Sequence, residues 1–161
     1  MAEPERFVVK EPDGDVAAVQ ESLGDAVEVA PLGDDLVVVT PREDVGGDRS
    51  DWWERIRDAV KSAEWVAPVV VDKAGLTSYP TGAVTVRFEK APTEDDVREI
   101  EATYDLRSAR QNEYVPEQYV FVPAEPRETF LPDLLARIDA DPRVHAVWPV
   151  TMSRYARVDS R

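Results

Sequence analysis

The apolar positions of this chain recur at two spacings, every second residue in short runs and every third or fourth in longer ones. These runs come twice, in the same order. Val16, Val19 and Leu23 form one helical stripe, and Val97, Ile100 and Tyr104 repeat its spacing about 80 positions later. Leu36-Val37-Val38-Val39-Thr40-Pro41 is answered by Tyr119-Val120-Phe121-Val122-Pro123. Trp65-Val66-Ala67-Pro68-Val69 is answered by Ala146-Val147-Trp148-Pro149-Val150. Three ordered matches at a nearly constant offset point to a duplicated supersecondary unit.

In the first half, residues 6–11 read as a strand closed by Pro12-Asp13-Gly14, and 15–23 as a short helix stopped by Gly24. Residues 26–31 and 36–40 read as a hairpin around Gly33-Asp34. Gly46-Gly47 is a connector into a second helix, where Asp51 with Glu54 suggests a capping box and Trp53, Ile56, Val60 and Ala63 line one face. Residues 65–71 make the last strand, and 72–82, with Gly75, Pro80 and Gly82, form the link. The second half opens with a strand at 83–89 and a helix capped by Thr93, whose Glu94-Asp95-Asp96 suits the helix dipole. Strands at 109–114 and 118–123 follow, then a helix at 129–140 that tolerates Pro132 in its first turn, then a strand from 144 into the tail. Each half is βαββαβ. The expected fold is α+β, two tandem ferredoxin-like sandwiches with helices on one face of each antiparallel sheet, in domains 1–75 and 76–161. Each half is near the lower limit for burying a core alone, so the halves are expected to lean on each other.

Two helices cover only one face of a sheet, so its strands should alternate apolar and polar. The stretches 36–39, 66–71 and 119–122 are apolar on both faces. Their second face must be covered by the other repeat, by a second copy of the chain in a homodimer, or by a partner protein. Left open, it would be a recognition surface. Trp52-Trp53 raises a related choice, because adjacent helical residues point about 100° apart. Trp53 shares the face of Ile56 and Val60 and reads as core, leaving Trp52 to contact a partner or to lie against the neighbouring repeat.

Charge changes the picture most. There are 33 acids against 19 bases, a net charge of −14, and lysine occurs only at positions 10, 61, 73 and 90. Because the acids are spread along the whole chain, a protein of a salt-rich cytoplasm is favoured over one with an acidic docking patch. The charge opposes any polyanion, so nucleic acid is excluded as a partner, although Tyr119 and Phe121 sit where an RNA-binding sheet would carry stacking aromatics. No cysteine is present, which removes disulfides and thiolate chemistry. No stretch approaches the ~20 apolar residues that span a bilayer, and no secretory signal opens the chain, so a cytoplasmic location is expected. His145 is the single histidine, no serine sits in a nucleophile elbow, and no glycine loop cradles phosphate. Neither enzyme activity nor a metal or cofactor is expected.

The second half also carries a family likeness. Val84-Thr85-Val86-Arg87-Phe88, the acidic helix ending Tyr104-Asp105-Leu106, and Tyr119-Val120-Phe121-Val122-Pro123 contribute to it. So does the run Ile138-Asp139-Ala140-Asp141-Pro142-Arg143-Val144-His145-Ala146-Val147-Trp148-Pro149. Together they resemble the propeptide domain of subtilisin-type serine proteases. The resemblance implies a sheet face docked on a protease, through Tyr119 and Phe121 or through the opposite set Val120 and Val122. It also implies a tail, Val158-Asp159-Ser160-Arg161, lying in the substrate cleft. With no protease after Arg161, such a module would act in trans as an inhibitor or folding chaperone. A tandem of this fold also resembles small-molecule regulatory domains, whose ligand sits near the first strand-helix loops. Those loops are Pro12-Asp13-Gly14-Asp15 and Lys90-Ala91-Pro92-Thr93, and only the first offers a glycine. A structural adaptor is the third possibility.

Overall fold

The structure, a computed structural model, describes residues 5–42 and 45–152. It is a mixed α+β protein with four α-helices and two antiparallel sheets. The chain forms two compact units: one runs to Pro80 and takes in Thr151 and Met152, the other is Thr81–Val150.

In the first unit, β1 (Phe7–Lys10), β2 (Val27–Pro31), β3 (Leu36–Pro41) and β4 (Trp65–Pro68) form a sheet in the order β2-β3-β1-β4. The register sets Phe7 opposite Val39 and Pro68, and Val9 opposite Val37 and Val66. Phe7, Val9, Val37, Val39 and Val66 therefore share one face and are all at most 1% exposed. Val8 and Ala67, paired on the other face, are buried as well. The doubly apolar reading of 66–71 thus corresponds to burial on both sides over residues 66–69, whereas Val70 and Val71 are exposed. Each buried valine or phenylalanine here contributes about 1.5–3 kcal/mol.

Helix α1 (Val16–Leu23) starts at Asp15, whose carboxylate accepts from the Ala18 N–H, and buries Val19. Helix α2 (Arg49–Ala59) is capped by Asp48 with Asp51, not by Asp51 with Glu54. The box lies three residues earlier than expected because Asp48 and Asp51 exchange side-chain and backbone bonds. The Asp51 N–H bond, with the Ser50 hydroxyl, holds the Asp48 carboxyl below its ordinary range. Trp52 does not stay near the surface: it is 5% exposed, like Trp53, with the Arg55 guanidinium 4.7 Å from its ring centre. The Trp53 Nε1–H donates to the Val66 carbonyl at 2.8 Å and satisfies its buried polar atom.

The strand expected at 65–71 splits after Pro68. Val70–Val71 form β5, which pairs Thr77 and Ser78 at the start of β6 (Thr77–Phe88), so β6 begins six residues before the expected position 83. The second sheet runs β5-β6-β8-β7, with β9 (Val144–Met152) also on β6, where β7 is Leu106–Gln111 and β8 is Gln118–Pro123. Strand β7 lies three residues before its expected position. Asp105 takes a left-handed φ of 54° to end helix α3 (Glu94–Tyr104), and buried Leu106 starts the strand at once. Thr93 caps α3 in a capping box with Asp96, and α4 (Leu131–Asp139) buries Leu131, Leu134 and Ile138. Among the described residues no helix is long and apolar enough to cross a membrane.

Candidate partner-binding face

The two faces of the second unit's sheet differ sharply. The register pairs Val84 with Phe121 and Val86 with Tyr119 across β6 and β8, and Leu106 with Pro123 across β7 and β8. Val84, Val86, Phe121, Pro123 and Leu106 are buried, together with Val97 and Ile100 of α3. This is the core face. Phe121 is 0% exposed, and Tyr119 is half-buried, its ring stacked on Phe121 at 6.0 Å and edge-on to Phe88 at 5.9 Å. These two candidate docking residues therefore form an aromatic core cluster, which Phe121 could leave only by unfolding.

The opposite face carries Thr85 paired with Val120, Arg87 with Gln118, Arg107 with Val122 and Arg110 with Val120. Thr85 is buried, Val120 and Val122 are half-buried like Tyr119, and all three arginines are exposed. A bulge between Ser108 and Arg110 restores Arg110 to the same face as Arg107, because one extra residue offsets the alternation. None of the three arginines has an ion-pair or hydrogen-bond partner among the described residues, while Arg49, Arg57, Arg98 and Arg143 all pair with acids. Sequence reasoning weighed Val120 and Val122 but missed these arginines. Arg107-Ser108-Ala109-Arg110 has no apolar alternation, so only a sheet register aligns it with the valines.

The other candidate residues fall elsewhere. Trp52 lies buried in the first unit, and residues 158–161 lie outside the described residues. His145 is exposed, with Nδ1 3.5 Å from a Glu89 carboxylate oxygen. Among the described residues no three histidine, cysteine or acidic side chains are placed to hold a metal ion. In the first strand-helix loop, the buried Glu11 carboxylate accepts the N–H groups of Asp13 and Asp15, at 3.3 and 2.8 Å. Donors that a small anion would use there are already taken.

The Asp141-Pro142-Arg143-Val144 motif has a structural role. The Val144 N–H returns to the Asp141 carbonyl at 3.0 Å, closing a turn. The Asp141 carboxylate accepts from the Arg143 backbone at 2.9 Å, from Arg143 Nε and Nη2 at 3.0 and 2.8 Å, and from the Tyr104 hydroxyl at 2.7 Å. The Arg143 bonds hold the Asp141 carboxyl well below the usual carboxylate range, against the opposing effect of burial, with the Tyr104 bond assisting. Asp141 in turn raises Arg143 above its ordinary value. Burial, then the bond to Asp141, pushes the Tyr104 hydroxyl up. Arg143 Nη1 also reaches Glu99 on α3 at 2.8 Å. The motif thus staples α3 to the turn before β9.

No family model and no curated protein matches the chain.

Proposed function

We propose that this chain is a non-enzymatic protein-binding module made of two tandem ferredoxin-like units, which binds through the outer face of the second unit's sheet. The strand order supports the fold assignment. In each sheet the unit's first strand lies between its third and fourth, and its second strand lies outermost beside the third. The observation that carries the binding reading is the half-buried pair Val120 and Val122 on the face opposite the one that buries Val84, Val86, Leu106 and Phe121.

Within that class, the reading is a propeptide-like inhibitor or folding chaperone of a subtilisin-type protease, acting in trans. Of the two sets weighed for docking, Val120 and Val122 are the usable one, since Phe121 is core. The test is a titration of the whole chain against a subtilisin-type protease of the same organism, in its native salt. Inhibition at micromolar concentration is expected, and Val122→Asp should weaken it about tenfold or more with the circular dichroism spectrum unchanged. Deleting residues 158–161 separates the two modes, because a tail in the cleft makes inhibition depend on it and a docked face alone does not. Absence of binding to any such protease would leave the broader protein-binding class and remove the propeptide reading.

A further inference from the structure

The electrostatics of this face deepen that reading. Acids outnumber bases in this chain, 33 to 19. Yet Arg87, Arg107 and Arg110 share one face with no acid partner among the described residues, and the β6–β8 and β7–β8 pairings set no acidic residue opposite them. Three exposed guanidinium groups on one face form a basic cluster in a protein of net charge −14. Keeping like charges together costs free energy in the isolated chain, and an incoming anionic group removes that cost.

The arrangement is also sized for a small contact. Arg107 and Arg110 stand beside Val122 and Val120, two residues apart on β8, hence about 7 Å along the strand. Arg87 stands on β6, two strands from β7, about 10 Å across the sheet. The guanidinium groups therefore flank an aliphatic floor on two sides. We infer that the partner presents an acidic protein segment, with one or two apolar residues for Val120 and Val122 and carboxylates on either side for the arginines.

Two other modes fit less well. Nucleic acid would need stacking aromatics, but Tyr119 and Phe121 belong to the opposite face, and the net charge repels a polyphosphate. Strand addition at β7, the outermost strand, is obstructed by the bulge between Ser108 and Arg110, which interrupts the hydrogen-bonding ladder. The inference rests on the proposed use of this face, so its test must separate the two.

The probes are three fluorescein-labelled molecules: a short Leu/Glu peptide, the same peptide with lysine for glutamate, and a single-stranded oligonucleotide. Their anisotropy is followed with the whole chain at one potassium chloride concentration, where circular dichroism shows every variant folded. The Glu peptide should bind, the Lys peptide and oligonucleotide should not, and R87E/R107E/R110E should weaken the Glu peptide about tenfold or more. Equal or tighter binding of the Lys peptide or the oligonucleotide overturns the inference, as does a Glu peptide that fails to bind. If V122D abolishes binding and the arginine variant does not, the face is used but its charge is not read. If neither variant matters, both readings fail. Self-association that the arginine variant dissolves would make a second copy of the chain the occupant and overturn the inference too.

Discussion

Asp141→Ala is the most informative single perturbation of the fold. The wild-type carboxylate has a side chain only 6% exposed and accepts four hydrogen bonds, three from Arg143 and one from Tyr104. Removing one partner of a buried ion pair costs about 3–5 kcal/mol, chiefly because the other charge is left without compensation. Arg143 is 31% exposed and keeps Glu99, so part of its charge is recovered by water and by that pair. The expected loss is therefore at the low end, about 3 kcal/mol, with about 2 kcal/mol for Asp141→Asn, which preserves shape. Glu99, 64% exposed, is a control: Glu99→Gln should cost less than about 1 kcal/mol. Urea denaturation followed by far-ultraviolet circular dichroism, at fixed salt, reads all three. The pH dependence has a definite sign. The folded-state pKa of Asp141 lies below its unfolded value of about 4, so its contribution is complete above that value and is lost as pH falls toward the folded pKa. The gap between wild type and Asp141→Asn should be flat from about pH 5 upward and shrink below about pH 4. A loss for Asp141→Ala no larger than that for Glu99→Gln, or a gap that widens in acid, would refute the staple.

Gly14→Ala should cost about 2 kcal/mol or more, read as a fall in urea midpoint. Its φ is +59°, and an added Cβ would stand 2.2 Å from the Asp34 carbonyl oxygen, so both the backbone and the hairpin would have to move. An unchanged midpoint would mean that the close approach between the two loops is not kept in solution. Thermal melting in increasing potassium chloride should shift upward, because screening relieves repulsion within a chain of net charge −14. A flat or falling midpoint would remove the salt-rich reading of the composition.

Local chemistry made much of the architecture legible in advance. Apolar spacing located α1 and α3, whose stripes keep a helical period, and an unbroken apolar run bounded by Pro123 located β8. Thr93 and Asp96 marked the start of α3 because a cap is a contact between near neighbours. The misplacements were also local in cause. Pro68 separates β4 from β5 within an unbroken apolar run, and Asp48 competes with Asp51 for the same cap.

The sequence by itself determined the order of the helices and main strands, the starts of α1 and α3 and the sign of the net charge. All of these depend on residues a few positions apart or on composition. Only the tertiary structure decided which of Tyr119-Val120-Phe121-Val122 is core, because a run apolar on both faces carries no phase. Cross-strand register settled it by pairing Phe121 with Val84 and Val120 with Thr85. The same register, with one bulge, gathered Arg87, Arg107 and Arg110 from two strands onto the valine face. Such a cluster has no sequence signature, because its members lie up to 23 positions apart and meet only through hydrogen bonds between strands.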